Sequence, residues 1–558
     1  MCVQAAAPDD PVAFPLLTAD DLATLEAVGA HRTIHTGDEL FRAGDPTPDF
    51  YVVLSGVVEI VIESDGHERL LARHVPGRFI GELNLITGLR AFVTARVVES
   101  GEVMVVKRDA LRHLIATNTR LGDVILASLL ARRALLVSGA SEAVRVVGSR
   151  YSPDALRLRE FLARTRIPHQ YLDPDADPAV EEILHAFGVG TADLPVVITV
   201  GAVLRRATVG ELGEFLGLTV ANLPTRTFDL VIVGGGPAGL AAAVYGASEG
   251  LNTLGVEMIA PGGQAGSSSR IENYLGFPTG ISGGDLTQRA FVQAEKFGAQ
   301  MTAPCTVASL RDEDGYLRLH LSDGTVIAAR AVIAASGARY RRLAIPELER
   351  FEGRGVFYAA TEDEARQCAG SPVVVVGGGN SAGQAAMYLA DRGSPVNVVI
   401  RGDDLRKSMS RYLVDRIVEH PAITVHTGAQ VVGLQGEDGT LRAVRLQRPG
   451  GEQELACGAL FSFIGAEPNS DWLSGCVALD GHRFVLTDLE LDGNARGERW
   501  RTLGRQPLPF ETSHPGLFAV GDVRSGSTKR VAAAVGEGSA AVRSVHQYLA
   551  FRAGAITT

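Results

Sequence analysis

Two glycine-rich segments, each directly after a run of apolar strand-forming residues, constrain the fold of this chain most. Residues 228–233 lead into Gly234-Gly-Gly236-Pro-Ala-Gly239, and residues 373–376 lead into Gly377-Gly-Gly379-Asn-Ser-Ala382. An alanine-rich helical pattern follows each segment. Glycines at this spacing permit a tight turn and a close approach of the backbone to a pyrophosphate, which lies at the helix N-terminus. The sequence therefore predicts two doubly wound α/β domains, each binding a dinucleotide.

The residue that ends the next strand differs between the two domains. Glu257 ends that strand in the first domain, and a carboxylate there suits a ribose with a free 2′-hydroxyl. Arg401 ends it in the second domain, and Arg406 follows. Guanidinium groups can hold a 2′-phosphate through paired hydrogen bonds, so the second domain is predicted to prefer NADPH over NADH. The alternative is that both arginines merely solvate a loop.

Composition and charge exclude several classes of protein. The chain has 558 residues, a formal net charge of -11 and no block of lysine or arginine, so we expect no nucleic-acid partner. No apolar run is long enough to span a membrane, and residues 1–15 lack the blocks of a signal peptide, so we expect a cytoplasmic protein without a membrane partner. The five cysteines form no CxxC pair, which predicts no metal site and no local dithiol.

Two further units are predicted ahead of the nucleotide-binding domains. Short strand-like runs between Gly and Asp turns fill the N-terminal region and predict an all-β roll. The apolar period of residues 107–136 predicts one long helix. A small α/β unit follows, and residues 222–225 are predicted to link it to the first nucleotide-binding domain.

Four more segments resemble the low-molecular-weight thioredoxin reductases, and the resemblance extends over residues 228–549. They are Pro261-Gly-Gly-Gln264-Ala, Arg270-Ile-Glu-Asn273-Tyr274, Gly280-Ile-Ser-Gly283 and Gly516-Leu-Phe-Ala-Val-Gly521-Asp522-Val523. The resemblance implies FAD, NADPH and a homodimer formed through the flavin domains. The FAD contacts that it implies come from Gly234, Gly236, Gly239, Glu257, Gly263, Gln264, Asn273, Val307, Gly337, Gly521, Asp522, Arg530 and Val531. The NADPH contacts that it implies come from Gly377, Gly379, Asn380, Ser381, Ala382, Arg401 and Arg406.

Two positions depart from the pattern of that family. Arg530 stands where the family usually has glutamine, and it is either a stabiliser of negative charge at flavin N1 or a solvated side chain. Ala359 and Glu362 stand where the family has its redox cysteines. Disulfide exchange requires a thiolate and a second sulfur, so dithiol chemistry is excluded at this position. Glu362 is predicted to cap the following helix, with a proton relay as the alternative.

The N-terminal roll resembles the cyclic-nucleotide-binding domain. The resemblance rests on residues 37–45 and 51–56 and on Gly81-Glu82-Leu83, which match the phosphate cassette of that domain. An ungapped alignment places Ala91 at the position of the phosphate-binding arginine, with Arg90 one residue early. We therefore expect weak or no binding of cyclic AMP, and a role in assembly or in binding another ligand.

Residues 143–219 resemble a glutaredoxin-like thioredoxin fold. Ser149 and Ser152 occupy the two cysteine positions of such a fold, and Leu194-Pro195 matches its cis-proline. No disulfide can form there. Two units of one chain thus lack their dithiols together, which favours a changed role over coincidental loss.

These patterns predict a multidomain chain: a β-roll with helices, a small thioredoxin-like α/β fold and two Rossmann-like domains. The predicted domains are 1–140 (cyclic-nucleotide-binding-like), 141–222 (thioredoxin-like), 226–346 with 464–558 (FAD) and 347–463 (NADPH). The expected activity is hydride transfer from NADPH to flavin N5 and onward to a quinone, oxygen or another acceptor that is not a disulfide. One alternative is a redox-responsive or nucleotide-responsive sensor or scaffold. A weaker one is a disulfide reductase that uses the cysteines of a partner protein.

Overall fold

The computed structural model describes residues 10–46, 48–64, 67–81, 90–138, 144–177, 179–199, 202–220, 222–268, 270–352, 354–358, 360, 362–368, 370–437, 440–491 and 500–554. The described residues form four units in chain order, and each unit is built around its own sheet.

The roll unit is the first, and its six-stranded sheet is antiparallel. Its elements are α1 (Ala19–Glu26), β1 (Gly29–Ile34), β2 (Glu39–Phe41), β3 (Phe50–Ser64), β4 (His67–His74), β5 (Phe79–Ile80), β6 (Thr94–Val106), α2 (Arg108–Thr117) and α3 (Thr119–Ser138). The long strands β3 and β6 pair from Phe50 opposite Val106 to Val61 opposite Thr94, with three register shifts that let the sheet curl.

The long helix predicted over residues 107–136 is wrong, because this segment forms two helices. Helices α2 and α3 are bent by 115° relative to each other. Asn118 lies between them with an extended backbone, and its Oδ1 accepts a hydrogen bond from the backbone N–H of Leu121 at 3.1 Å. An asparagine that caps a new helix in this way ends the previous one. Among the described residues no single helix is long and apolar enough to cross a membrane; α2 and residues 119–133 reach that length only as this bent pair.

The small α/β unit has a four-stranded sheet in the order β10-β9-β7-β8, in which only β7 and β8 are parallel. Its elements are β7 (Val144–Val147), α4 (Pro153–Arg164), β8 (Gln170–Leu172), α5 (Ala179–Ala186), β9 (Val196–Thr199), β10 (Ala202–Leu204) and α6 (Val209–Leu216). Phe161 of α4 is fully buried against the sheet. The Leu194–Pro195 peptide is cis.

The first nucleotide unit contains the first glycine-rich turn and the C-terminal helix. Its elements are β11 (Thr227–Val233), α7 (Pro237–Ser248), β12 (Thr253–Val256), α8 (Gly263–Gly266), α9 (Gly283–Lys296), β13 (Gln300–Thr302), β14 (Val307–Glu313), β15 (Tyr316–Leu321), β16 (Val326–Ala334), β17 (Ala338–Tyr340), β27 (Leu517–Ala519) and α14 (Val531–Arg552). Strands β13, β12, β11, β16 and β27 run parallel, so their carboxyl ends meet at one edge of the sheet.

The second nucleotide unit is inserted between β17 and β27. Its elements are α10 (Leu348–Phe351), β18 (Val356–Phe357), α11 (Glu362–Gln367), β19 (Val373–Val376), α12 (Asn380–Ala390), β20 (Val396–Val399), α13 (Arg411–Glu419), β21 (Ile423–His426), β22 (Gln430–Glu437), β23 (Thr440–Arg448), β24 (Gly451–Ala456), β25 (Ala459–Ser462) and β26 (Ala466–Pro468). Its parallel sheet has the order β18-β25-β19-β20-β21, and β22, β23 and β24 form a separate antiparallel sheet. Strand β26 pairs with β17 where the chain crosses back.

The two N-terminal units pack directly on the first nucleotide unit. Leu111 and Ile115 of α2 share one apolar core with Phe291 and Val292 of α9. In α6, a Cβ added to Gly213 would lie 2.3 Å from Cδ of Pro304. The packing therefore leaves no space between these surfaces for a larger side chain.

Candidate functional site

The first glycine-rich turn has the geometry that only glycine allows. Gly234 has a φ of 110°, and a Cβ there would lie 2.2 Å from the carbonyl oxygen of Ala335. A Cβ on Gly239 would lie 1.8 Å from the carbonyl oxygen of Gly234. A Cβ on Gly236 would meet nothing closer than 3.9 Å, so open space remains in front of the N-terminus of α7. An anionic group can enter that space and accept hydrogen bonds from backbone N–H groups of the first turn.

Glu257 follows β12 and is tied to the same turn. Its Oε2 accepts a hydrogen bond from the backbone N–H of Gly235 at 2.6 Å, and its Oε1 accepts one from Ile259 at 3.0 Å. Burial raises the pKa of Glu257, and the two backbone donors oppose that shift. A carboxylate has about four lone-pair positions, so Glu257 keeps acceptor capacity for a ribose hydroxyl.

The Gly521-Asp522 turn is held by a side chain that the sequence pattern did not single out. Glu537 on α14 accepts hydrogen bonds from the backbone N–H of Gly521 at 2.7 Å, from the Arg524 guanidinium at 2.8 Å and from the Ser527 hydroxyl at 2.9 Å. Asp522 is partly buried, which raises its pKa, and Lys529 opposes the shift. No spacing rule connects a glutamate within a long helix to a turn that precedes it.

Four of the predicted flavin-site segments meet at the carboxyl edge of the first sheet. Gly234, Glu257, Gly337 and Gly521 follow β11, β12, β16 and β27, which are neighbours in the sheet. The carbonyl oxygen of Gly337 accepts a hydrogen bond from Asn469 at 2.9 Å. The structure thus forms one continuous groove edge from segments that are far apart in sequence.

The remaining predicted flavin contacts differ in their surroundings. Gln264 follows Gly263 in α8 and donates its side-chain amide to the carbonyl oxygen of Ala338. The Val307 side chain is buried in the core of the sheet, so only its backbone is available to a ligand. Asn273 is exposed. Arg530 is exposed at the N-cap of α14, and Val531 begins that helix. Both roles considered for Arg530 stay open.

The second glycine-rich turn is shaped in the same way. Gly377 has a φ of 143°, and a Cβ there would lie 2.4 Å from the carbonyl oxygen of Phe463. Gly379 is the N-cap of α12, and a Cβ there would meet nothing within 4 Å. Asn380 accepts a hydrogen bond from the backbone N–H of Ser410 at 2.7 Å, which ties the turn to α13. Ala382 is fully buried, as a residue packed against the sheet requires.

The two arginines after β20 are exposed to solvent. Neither Arg401 nor Arg406 forms an ion pair within the part of the chain that the structure describes. The neighbouring Lys407 is paired with Asp403 at 2.6 Å, and Asp404 accepts a hydrogen bond from the backbone N–H of Arg406. Sequence reasoning did not weigh these two aspartates. Lys407 is thus already neutralised, whereas the two arginines are available for an anion.

The segment that lacks the redox cysteines lies between the two nucleotide units. Ala360 is buried and lines a cleft of about 280 Å³ together with Ser267 and Ser268 of the first nucleotide unit and Ser381 of the second turn. Helix α11 begins at Glu362, so this residue lies in the first turn of the helix that it was predicted to cap. Ala359 lies outside the described residues, as does the Glu362 side chain, so its predicted capping contact stays a prediction.

Two free cysteines in the second nucleotide unit are neighbours in space. Cys368 and Cys457 are both buried, and Cys368 contributes to the raised pKa of Cys457. Burial raises the pKa of Cys368 to about 11 and that of Cys457 to about 12. The thiolate is the reactive form, so neither thiol is activated at neutral pH. Cys368 and Cys457 are far apart in the sequence, so no sequence pattern indicates that they are neighbours.

The predicted ligand pocket of the roll unit is described only in part. Gly81 has a φ of 102°, and a Cβ there would lie 2.4 Å from the carbonyl oxygen of Asp49. Arg90 donates to the carbonyl oxygen of Gly44 at 2.9 Å and lies 5.2 Å from the Phe215 ring of the small α/β unit. Glu82 and Leu83 lie outside the described residues.

The Ser149–Ser152 loop of the small α/β unit contacts the second nucleotide unit. Ser149 donates its hydroxyl to Asp175, and Ser152 caps α4 by accepting a hydrogen bond from Ala155 at 3.3 Å. Between the serines, the carbonyl oxygen of Tyr151 accepts a hydrogen bond from the Arg354 guanidinium at 3.0 Å, and the guanidinium lies 4.7 Å from the Tyr151 ring. Sequence reasoning missed this contact.

Comparison with known families agrees with this geometry. A model of the pyridine nucleotide-disulphide oxidoreductases matches residues 228–538, so the chain belongs to that family. A model of the cyclic nucleotide-binding domain matches residues 31–118. The predicted β-roll, the two Rossmann-like domains and the predicted class of enzyme are confirmed: this is an FAD- and NADPH-dependent oxidoreductase of thioredoxin reductase architecture. The thioredoxin-like character of the small α/β unit stays a prediction.

Individual relatives are thioredoxin reductases. The chain is 35% identical over 364 residues to NADPH-dependent thioredoxin reductase 3 of Arabidopsis thaliana. The match covers 62% of this chain and 65% of that protein, so the chain spans less than two thirds of the length of this relative. It is 34% identical to the thioredoxin reductase of Treponema pallidum, covering 58% of this chain and 97% of that protein. Among solved structures, it is similar to Lactococcus lactis thioredoxin reductase in the FR conformation (29% identity, TM-score 0.51, 57% and 98% covered). It is also similar to T. acidophilum thioredoxin reductase (27%, TM-score 0.52, 58% and 98% covered).

Proposed function

We propose that this chain oxidises NADPH through FAD and delivers the electrons to an acceptor that is not a disulfide. The observation that carries the proposal is the contrast at the cleft between the two nucleotide units. Both glycine-rich turns have the geometry of nucleotide sites, whereas alanine and glutamate replace sulfur at positions 359 and 362. The acceptor is a quinone, oxygen or another small oxidant.

The groove at the carboxyl edge of the first sheet fits FAD. Backbone N–H groups at the start of α7 would hold the pyrophosphate, Glu257 a ribose hydroxyl, and Asp522 the ribityl chain. FAD, when bound, supplies the ring that accepts a hydride from the nicotinamide. The N-terminus of α14, with Arg530 at its N-cap, would favour negative charge on that ring.

The second unit would bind NADPH in a defined orientation. The N-terminus of α12 would face the pyrophosphate and Ser381 would approach the cofactor, whereas the buried Ala382 would let α12 pack closely against the sheet. Arg401 and Arg406 would hold the 2′-phosphate, as their exposure and the neutralised Lys407 allow.

Anaerobic reduction of the purified flavoprotein by NADPH, followed by a screen of acceptors, tests this proposal. We expect rapid bleaching of the flavin and steady turnover on a quinone or oxygen, without thioredoxin-linked disulfide reduction. The matched control is the double variant Ala359→Cys and Glu362→Cys, which restores both sulfurs. If the unmodified chain reduces thioredoxin as fast as this variant, or if Cys368→Ala alone abolishes turnover, the proposal is wrong.

A redox-responsive sensor is the second candidate, and the contacts between the units favour it. The roll unit shares an apolar core with the first nucleotide unit, and Arg354 joins the small α/β unit to the second. Slow turnover combined with partner binding that changes on reduction would support this candidate. The homodimer, the cytoplasmic location, an effector of the roll unit and the domain boundaries stay predictions.

A further inference from the structure

A cavity of about 1550 Å³ extends the groove assigned to FAD as far as the small α/β unit. Gly263 and Gln264 of α8 line it on one side. An added Cβ on Gly263 would lie 2.8 Å from Cα of Gly236, so the cavity reaches the turn that would hold the pyrophosphate. The last turns of α4 and the residues after it line another side, with Glu160 and Arg164 among them.

The end of α4 is connected to the segment around α8. Arg166, which follows α4, pairs with Asp285 in the first turn of α9 at a distance of 2.7 Å between nitrogen and oxygen. The backbone N–H of Gly283, the first residue of α9, donates to the carbonyl oxygen of Ser268 at 2.8 Å. Ser268 follows α8, so these contacts connect α4 with the α8 side of the cavity.

A second connection involves the strand next to Glu257. The backbone N–H of Ala303 donates to the carbonyl oxygen of Leu218 at 3.2 Å, and the backbone N–H of Val220 donates to the Thr302 hydroxyl at 3.3 Å. The carbonyl oxygen of Thr302 accepts a hydrogen bond from the backbone N–H of Glu257 at 3.0 Å. Thr302 therefore contacts both the end of the small α/β unit and the residue assigned to the ribose.

Arg164 is the last residue of α4, and its charge acts on two groups of the flavin groove. Burial raises the pKa of Glu257 and that of Tyr340, and Arg164 opposes both shifts, together with backbone donors in the case of Glu257. A charge acts in this way only from nearby, because water and salt screen it over about 10 Å. Arg164 pairs with Glu160 at 2.8 Å, and its side chain is 30% exposed. A guanidinium has five donors, so this pair leaves capacity for a further acceptor.

We propose that the small α/β unit completes the FAD site, with Arg164 contacting the pyrophosphate of the cofactor. In FAD the pyrophosphate joins the adenosine ribose to the ribityl chain. Arg164 lies near Glu257, which is assigned to the ribose, and near Tyr340, on which the charge of Asp522 also acts. Asp522 is assigned to the ribityl chain, so the group between these two assignments is the pyrophosphate. Arginine suits it, because a guanidinium donates paired hydrogen bonds to phosphate.

The two ends of α4 then have separate tasks. Helix α4 has 12 residues and is about 18 Å long. Its N-terminal end follows the loop in which Tyr151 contacts Arg354 of the second nucleotide unit, and its C-terminal end carries Arg164. The absence of sulfur at Ser149 and Ser152 does not affect a cofactor contact at the other end. This inference rests on the proposed function only for the position of FAD, and it is independent of the electron acceptor.

Fluorescence titration of the full-length apoproteins with FAD tests the contact. Arg164→Gln should weaken FAD binding by about tenfold, through the loss of one charge-assisted hydrogen bond. Glu160→Gln breaks the same ion pair but removes a negative charge near the phosphates, so it should bind FAD at least as tightly as the unmodified chain. Arg157→Gln is the matched control on α4, because Arg157 pairs with Asp154 and does not line the cavity. Equal losses of affinity in Arg164→Gln and Glu160→Gln would make the ion pair merely structural and overturn the proposal.

Hydrogen exchange at saturating FAD gives a second readout that does not depend on activity. FAD should slow exchange in the last turn of α4, because a contact that favours the cofactor also favours the docked helix. Helix α5 belongs to the same unit and does not line the cavity, so it is the internal control. Equal slowing in α4 and α5, or none in either, would overturn the proposal even if NADPH oxidation proceeds. Conversely, a chain that reduces thioredoxin but shows the expected ranking of FAD affinities contradicts only the proposed function.

Discussion

At the scale of single residues, two glycines of the first turn have separate tasks. Gly239 has no space for a Cβ, since it would lie 1.8 Å from the carbonyl oxygen of Gly234. Gly236 has space within the protein, and that space is where a pyrophosphate would lie. One glycine is therefore required by the chain itself and the other by the ligand.

Valine at position 236 should leave the fold intact and remove FAD. The side chain would occupy the space of the pyrophosphate, so we expect flavin affinity to fall by more than about tenfold. Alanine at position 239 should instead lower the stability of the apoprotein by roughly 1–3 kcal/mol, as expected for overpacking. Flavin absorbance per protein and the unfolding temperature of the apoprotein distinguish the two effects. Equal flavin content in Gly236→Val and the unmodified protein would contradict the assigned site.

The exposed arginines after β20 should decide nucleotide preference. Arg401→Ala combined with Arg406→Ala should reduce discrimination between NADPH and NADH by about 2–4 kcal/mol, through lost charge-assisted hydrogen bonds to the 2′-phosphate. Lys407→Ala is the control and should change little, because Lys407 is paired with Asp403. The ratio of kcat/KM values for the two nucleotides measures the effect. A ratio near one in the unmodified protein would show that the arginines only solvate the loop.

At the scale of elements, helix α14 is positioned by its close contact with α7 and by its hydrogen bond to the Gly521 turn. A Cβ on Gly538 would lie 2.1 Å from the carbonyl oxygen of Ala238, so α14 and α7 are in close contact there. Glu537, one residue earlier, fixes the Gly521 turn. The helix thus places both the cofactor turn and its own N-terminus at the edge of the sheet.

Replacing Glu537 should weaken FAD binding through the Gly521 turn. In Glu537→Ala the backbone N–H of Gly521 and the half-buried Arg524 lose their acceptor, and we expect flavin affinity to fall about tenfold. Glu537→Gln keeps an acceptor oxygen and should lose less. Fluorescence titration of the apoproteins with FAD gives the ranking. Equal affinities in all three proteins would mean that the turn needs no such support.

At the scale of the whole molecule, the small α/β unit rests beside the segment that lacks the redox disulfide. Arg354, which precedes β18, contacts Tyr151 in the loop between Ser149 and Ser152. Neither Ser149 and Ser152 on one side nor Ala359 and Glu362 on the other carries sulfur, yet the contact between the units is formed. It therefore serves the arrangement of the units and not the exchange of disulfides.

Arg354→Ala should loosen this contact without slowing electron transfer. The hydrogen bond and the cation–π contact together stabilise the docked loop by about 1–2 kcal/mol. Hydrogen exchange in residues 149–152 should accelerate correspondingly, while turnover on an artificial acceptor stays unchanged. Arg350→Ala, which removes an exposed arginine paired locally with Glu347, is the control. A large loss of turnover in Arg354→Ala alone would show that docking takes part in the reaction.

The sequence by itself determined the two nucleotide turns, Glu257, the absent dithiols and the order of the four units. Each of these depends on residues within one short segment, where strand, turn and helix follow local rules. Tertiary structure decided the bend at Asn118, the support of Gly521 by Glu537, the proximity of Cys368 and Cys457, and the approach of α4 to the flavin groove. These features join segments that are distant in the chain, and their contacts arise only when helices and sheets pack. No local pattern of residues specifies which distant side chains will meet.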